Sequence, residues 1–170
     1  MNDRKTVKNI LTGETEYVEV LIQKYYGDIY AYCYQHLFDK HMAQDITQET
    51  FLRFLKNLES YKHTGKLKNY LYIIAKNIIR DYLKKQDRRC LSYSNAEPIV
   101  SNMENTVLEL EIKSILDSLE EEERELIILR YYQDMTFADI SRIIGKPMST
   151  VKYSLKKLEK KIGDRLKGEY

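Results

Sequence analysis

The chain has 170 residues, 43% of them hydrophobic, and a formal net charge of +2, which is ordinary for a soluble globular protein of one or two domains. It contains no run of about 18 apolar residues and begins with the polar stretch MNDRKTVKN, so we expect a cytoplasmic protein without a signal peptide or membrane insertion. The two cysteines, Cys33 and Cys90, lack CxxC spacing, which argues against a disulfide framework or a zinc site, and we expect no cofactor.

The first half of the chain predicts three amphipathic helices. Hydrophobic residues recur at intervals of three or four over residues 14–37, 43–58 and 67–83, whereas sustained alternation and Asn-Gly hairpin turns are absent from the sequence. Three such helices can bury their apolar faces in a small bundle. We therefore predict an all-α domain over residues 1–89.

The outward face of the second predicted helix indicates contact with a protein. Leu52 lies there among polar side chains, and an apolar residue in such a setting can anchor a partner. A single exposed leucine is also common on protein surfaces, so the contact is one of two interpretations. The face consists of Asp45, Gln48, Glu49, Leu52 and Arg53.

A segment rich in basic and aromatic residues precedes the third predicted helix and continues along it. Lysine can neutralise phosphates and aromatic rings can stack on unpaired bases, so this composition favours single-stranded or melted nucleic acid over intact duplex. Tyr70 and Tyr72 can equally well pack in the core, since aromatic residues at helical spacing usually do. The segment contains Tyr61, Lys62, His63, Lys66, Lys68, Tyr70, Tyr72, Lys76, Arg80 and Lys84.

Composition and charge both change near residues 90–105. The stretch CLSYSNAEPIVSNMEN holds Ser, Asn and Pro without a helical period, which is typical of a linker. The net charge is +5 over residues 1–90, −8 over residues 91–125 and +5 over residues 126–170. Two basic blocks around an acidic joint indicate two modules that bind nucleic acid, so we predict a flexible linker at 90–105 and a second helical domain at 106–170.

Residues 136–162 predict a helix-turn-helix, in which Gly145 ends the first helix in a left-handed conformation and Ser149 caps the second. The second helix is basic away from its apolar stripe, as expected for a helix that enters the major groove of DNA. The alternative is a helical hairpin whose lysines only keep it soluble. The apolar stripes are Phe137, Ile140 and Ile144, then Val151, Leu155, Leu158 and Ile162; the residues off the second stripe are Lys152, Tyr153, Lys156, Lys157, Lys160 and Lys161.

Two parts of the chain, in this order, resemble the sigma-70 family of bacterial sigma factors. AQDITQETFLRFLKNLESYK and LKNYLYIIAKNIIRDYLKK resemble its second conserved region, and SLEEEERELIILRYYQDMTFADISRIIGKPMSTVKYSLKKLEKKI resembles its fourth. With only these regions and a short joint, the chain is similar to the extracytoplasmic-function group. The resemblance implies a protein without catalytic residues that binds core RNA polymerase and promoter DNA, directs promoter-specific initiation and is bound by an anti-sigma factor.

The resemblance also implies a role for each surface. The face formed by residues 45–53 corresponds to the surface that docks on the clamp coiled coil of the polymerase β′ subunit. Residues 60–68 and the next helix correspond to the part that melts and reads the −10 element, and residues 149–161 to the part that reads the −35 duplex. The implied −10 residues are Tyr61, Lys62, His63, Lys66, Lys68, Tyr70, Lys76, Asn77, Arg80 and Lys84, and the implied −35 residues are Ser149, Thr150, Lys152, Tyr153, Lys156 and Lys157.

The chain departs from the family pattern at three of these places. Family members often carry Trp where Tyr70 stands and Gly where Ser149 stands, and a common Arg is replaced by Ser154. Lysine binds phosphate as a point charge, whereas bidentate contact with guanine favours arginine. The family's −35 sequence preference therefore does not carry over to this chain.

Two other functions stay open from the residues alone. A stand-alone helix-turn-helix regulator would bind duplex DNA without polymerase, but it leaves the basic and aromatic segment unexplained. A nuclease could share a metal between Asp45 and Glu49, which lie four residues apart on one helical face. No third ligand stands at helical spacing, and such pairs usually only solvate a helix.

Overall fold

The computed structural model describes residues 2–62, 66–92 and 106–168. Every regular element in these ranges is helical, which confirms the predicted all-α class. The chain divides into two compact units, Met1–Glu104 and Asn105–Tyr170. The predicted linker, residues 90–105, spans this division, and its residues 93–105 lie outside the described ranges.

The N-terminal unit is a bundle in which three long helices pack against one another. Tyr32 and Tyr72 are fully buried, and their rings meet edge to face with centroids 4.9 Å apart. Tyr72 is therefore a core residue, as one of the two sequence interpretations holds. The elements are α1 (Asp3–Leu11), α2 (Glu16–Leu37), α3 (Lys40–Lys56), a 3-10 turn (Leu58–Ser60) and α4 (Leu67–Ser92).

Helices α2, α3 and α4 confirm the three predicted helices, but two boundaries differ. Helix α3 starts three residues early because the Asp39 carboxylate accepts a hydrogen bond from the Met42 amide at 2.9 Å and caps the helix. Helix α4 continues nine residues beyond residue 83 to Ser92, since no Gly or Pro interrupts that stretch. It thus extends into the first residues of the predicted linker.

Helix α1 is absent from the sequence predictions. Thr6 and Val7 are its only buried residues, so its apolar stripe is too short to predict a helix from hydrophobic spacing. Its attachment to α2 is polar: Asp3 forms an ion pair with Lys24 and accepts a hydrogen bond from the Tyr25 hydroxyl at 2.7 Å. Burial and then this hydrogen bond raise the pKa of Tyr25 to about 12.

The C-terminal unit contains the predicted helix-turn-helix. Ile140 is buried as predicted, but Ile143 rather than Ile144 completes the inward face of the first helix. Val151, Leu155 and Leu158 of the second helix are buried as predicted, whereas Ile162, the fourth residue of the predicted stripe, is half-buried. The elements are α5 (Val107–Asp117), α6 (Glu121–Ile127), a π-helical turn (Ile128–Tyr132), α7 (Phe137–Ile144) and α8 (Met148–Gly168).

Replacing Phe54, a fully buried residue of α3, should strongly destabilise the N-terminal unit. We expect Phe54→Ala to lower the free energy of unfolding by about 3–5 kcal/mol, because the lost ring leaves a cavity. The matched control is Leu52→Ala on the exposed side of the same helix, with an expected change within about 0.5 kcal/mol. Urea unfolding, monitored by hydrogen exchange of the α2–α4 amides, measures the free energy of unfolding of both variants. Equal decreases in the two variants would contradict the assigned inward and outward faces.

Candidate functional site

The outward face of α3 presents the residues predicted to contact a protein. Thr50 and Phe54 are buried on the inward side of α3, so the opposite side of this helix faces solvent. Leu52 stays 51% exposed on that side. Glu49 and Arg53 form an ion pair with 2.7 Å between Oε1 and Nε, which fixes both polar ends beside Leu52. Asp45, Gln48, Leu52 and Arg53 are exposed, and Glu49 is partly exposed.

An aromatic cluster joins α3 to the start of α4. The rings of Tyr61 and Tyr70 lie 4.9 Å apart, and the buried ring of Phe54 lies 5.8 Å from the first and 6.2 Å from the second. Both tyrosines are half-buried, and burial raises the pKa of the Tyr61 hydroxyl. Each ring therefore packs on the core with one side while part of it reaches solvent.

The lysines around this cluster differ in their surroundings. Lys62 and Lys66 are exposed, whereas His63 lies outside the described residues. Lys68 forms an ion pair with Asp28 of α2 at 2.8 Å, and its Nζ lies 5.9 Å from the centre of the buried Tyr72 ring. Lys68 therefore fastens α4 to α2, and part of its charge is already neutralised within the unit.

One face of α4 continues from the aromatic cluster as a polar strip. Asn77, Arg80 and Lys84 are exposed, and Lys76 is half-buried beside them. Residues three, four and seven apart share a face of a helix, so Asn77 and Lys84 follow Tyr70 along the same side. At 1.5 Å per residue, this strip is about 21 Å long. The partly exposed aromatic rings thus lie at one end of the strip, and its cations follow along the helix.

The turn of the helix-turn-helix is closed by local hydrogen bonds. Gly145 has φ of +75°, a conformation that favours glycine, and the Ser141 hydroxyl donates to the Lys146 carbonyl at 2.6 Å. The prediction that Ser149 caps the next helix is wrong. Helix α8 starts at Met148, one residue before Ser149, and the Pro147 carbonyl accepts the first helical bond. Ser149 therefore lies inside the first turn of α8 and not at its cap, and the fixed φ of Pro147 is compatible with a helix that begins at the next residue.

The outward face of α8 carries all six residues predicted to contact duplex DNA. The inward residues Val151 and Leu155 are buried and fix which side turns outward. Lys152 differs from the others because its Nζ lies 5.5 Å from the centre of the Phe137 ring on α7. The exposed residues are Ser149, Thr150, Lys152, Tyr153, Lys156 and Lys157.

Comparison with known proteins decides among the functions left open above. Residues 21–89 match Sigma-70 region 2, and residues 109–162 match Sigma-70, region 4. The chain is 28% identical to the ECF RNA polymerase sigma factor SigW of Bacillus subtilis (strain 168) over 167 residues, covering 88% of each protein. The chain belongs to the sigma-70 family, in its extracytoplasmic-function group. It is a sigma factor that directs promoter-specific transcription, and a stand-alone regulator is not favoured because region 2 occupies the N-terminal unit.

Two solved structures share the fold of this sigma factor. CnrH, solved in complex with the cytosolic domain of CnrY, has a TM-score of 0.78 at 16% identity. The match covers 99% of this chain and 99% of CnrH. The sigma factor RpoE of Bartonella quintana, solved with the anti-sigma factor NepR, has a TM-score of 0.71 at 19% identity, covering 88% of this chain and 96% of RpoE. At these identities the likeness shows the fold alone.

Two acidic residues of the sigma factor were not among the predicted functional residues. Glu123 on α6 accepts hydrogen bonds from Lys161 at 2.8 Å through both carboxylate oxygens, and Glu122 forms an ion pair with Lys146. The positive charges of Lys146 and Lys161 are therefore neutralised within the unit, although the sequence suggests that they add to a basic surface. The run of acidic residues at 120–123 is visible in the sequence, but its partners are not, because the pairing depends on how α6 packs against α8.

The described residues offer no support for the nuclease interpretation. Within them, no group of three or more His, Cys, Asp or Glu side chains could hold a metal ion. Glu49, one of the two suggested ligands, is paired with Arg53 instead.

No helix among the described residues has the length and apolar character needed to cross a membrane.

Cys33 should react slowly with alkylating reagents. Its side chain is fully buried on α2, and this burial raises the pKa of the thiol to about 12. In a Cys90→Ser variant at pH 8, we expect iodoacetamide to modify Cys33 at least about a hundredfold more slowly in the folded protein than in urea, because the thiolate is the nucleophile. Mass spectrometry over time measures the rates, and similar rates in both conditions would contradict the buried position.

Proposed function

We propose that this sigma factor binds core RNA polymerase through the outward face of α3 and contacts promoter DNA through α4 and α8. In this proposal the residues 60–68 and α4 bind the melted −10 element, and α8 reads the −35 duplex. One observation supports all three roles. Each surface lies opposite a buried apolar stripe on its own helix, so its orientation is fixed before any partner binds.

The α3 face has the composition of a protein-docking surface. Leu52 supplies apolar area at the centre, and the Glu49–Arg53 ion pair and Asp45 surround it with charge. Interfaces commonly place an apolar anchor within a polar rim, and the anchor then contributes most of the binding energy. We therefore assign Leu52 as the anchor on the polymerase β′ clamp, with Gln48 beside it.

The Tyr61–Tyr70 cluster and the α4 strip suit melted DNA. Unpaired bases expose flat faces that stack on aromatic rings, and their phosphates attract cations such as Arg80 and Lys84. Lys68 has a smaller part in this proposal because Asp28 already neutralises much of its charge. The tyrosine pair thus takes the aromatic role for which many family members use tryptophan.

An anti-sigma factor is the proposed regulatory partner. RpoE of Bartonella quintana was solved with the anti-sigma factor NepR, and that structure shares the fold described above. The same apolar anchor that docks on polymerase offers such a partner an effective place to compete. We also propose that this sigma factor acts in the cytoplasm and has no catalytic activity of its own.

Run-off transcription with core RNA polymerase tests the proposed function as a whole. A template library with a randomised promoter region, transcribed with and without the purified chain, identifies sequences that depend on it. We expect initiation from a defined subset of templates only when the chain is present. If the chain produces no polymerase-dependent initiation on any template, the proposal is wrong.

Two sets of variants should separate polymerase binding from promoter melting. The double variant Gln48→Ala/Leu52→Ala should weaken the affinity for core polymerase by about tenfold or more, because an anchor at an interface centre is lost. The triple variant Lys76→Ala/Arg80→Ala/Lys84→Ala should keep that affinity but reduce open-complex formation by about tenfold or more, because phosphate contacts are lost. Binding assays with core enzyme and permanganate reactivity of melted thymines measure the two steps.

A matched control removes the same charge from another surface of the same unit. Arg4, Lys5 and Lys8 are exposed on α1, and their replacement by alanine should leave both steps within about twofold of the unmodified protein. Equal loss of both steps in the α4 triple variant would refute its assigned role. Equal effects of the α1 and α4 triple variants would show that only net charge matters.

A further inference from the structure

Tyr153 occupies an unusual position for an aromatic residue. It is 71% exposed on α8, directly opposite the buried side chains Val151 and Leu155. By contrast, Tyr32 and Tyr72 in the other unit are fully buried. Among the residues that the structure describes, Tyr153 makes no hydrogen bond, ion pair or ring contact. Nothing in the described fold therefore explains why an aromatic ring stands there.

The neighbours of Tyr153 place it at the centre of the outward face of α8. Ser149 lies one turn before it and Lys156 and Lys157 lie one turn after it, on the same side of the helix. Lys152 leans against the Phe137 ring of α7 instead. The middle of the face is thus a neutral ring, with hydroxyl groups toward the N-terminus and cations toward the C-terminus.

We propose that Tyr153 is a specificity-determining residue that reads the C5-methyl group of a thymine in the −35 duplex. This inference rests on the proposed role of α8 in binding that duplex. The N-terminal part of a recognition helix contacts base edges in the major groove, and Tyr153 lies in that part. The lysines that follow it are placed to contact the phosphates.

The chemistry of the major groove selects thymine. Bases in an intact duplex are stacked on one another, so a ring in the groove meets their edges and not their faces. Those edges present hydrogen-bond donors and acceptors at every base pair, and thymine alone adds an apolar methyl group. The carbon ring of tyrosine gains from leaving water against such a methyl group, and the hydroxyl, which can hydrogen-bond to a phosphate, is absent from the Tyr153→Phe variant. A neutral phenol also adds nothing to phosphate neutralisation, which Lys156 and Lys157 provide.

The test compares thymine with uracil, which differs from thymine only by the missing methyl group. The holoenzyme, formed from the full chain and core polymerase, first selects −35 sequences from a randomised duplex library. Each thymine of the selected element is then replaced singly by uracil. We expect the affinity of the unmodified holoenzyme to fall about three- to fivefold at one position, which is the effect of one buried methyl group.

Three variants identify the source of this preference. Tyr153→Ala should bind the thymine and uracil duplexes equally, whereas Tyr153→Phe should keep the preference because it keeps the ring. Lys156→Ala is the control: it should weaken both duplexes by the same factor and make binding less dependent on salt. Both positions are exposed, so the three variants should fold like the unmodified protein.

The possible failures are distinguishable. If the holoenzyme selects no −35 sequence at all, the proposed function of α8 fails, and the inference fails with it. If it selects a sequence but tolerates uracil at every thymine, or if Tyr153→Ala keeps the preference, the role of Tyr153 is overturned while the function of α8 stands.

Discussion

The packing of Phe54 is the contact on which the N-terminal unit most depends. Its ring is fully buried on α3, next in sequence to Arg53 and two residues from Leu52, and it also touches the rings of Tyr61 and Tyr70. One side chain thus holds the outward face of α3 and the aromatic cluster in a fixed relation. The surfaces that we propose for polymerase docking and promoter melting are therefore positioned by the same core residue.

Ion pairs within the C-terminal unit neutralise some of its cations and leave others on the outward side of α8. Glu122 and Glu123 neutralise Lys146 and Lys161, and the Phe137 ring holds Lys152. The cations that remain unpaired within residues 106–164 include Lys156 and Lys157, which lie one turn after Tyr153 on the outward face. The sequence suggests basic residues over much of this unit, but the ion pairs leave the unpaired cations Lys156 and Lys157 on one side of α8.

The sequence was sufficient for the fold class, because hydrophobic spacing over α2, α3, α4 and α8 is long and regular. It was insufficient where tertiary contacts decide: α1 is attached by Asp3 to Tyr25, and Lys68 is paired with Asp28 from a helix distant in sequence. Helix α8 starts at Met148, so Ser149 lies inside its first turn and not at the cap that the sequence predicted. The sequence also left open whether Tyr70 and Tyr72 pack in the core, and the structure buries Tyr72 but leaves Tyr70 half-buried.

Photocrosslinking from positions 52 and 153 most directly tests the claim that these side chains face different partners in one initiating complex. A photoreactive amino acid is placed at either position in the full chain, which is then assembled with core polymerase and promoter DNA. We expect position 52 to crosslink to polymerase and position 153 to the upstream duplex DNA. A crosslink from position 52 to DNA, or from position 153 to protein alone, would contradict the assignment.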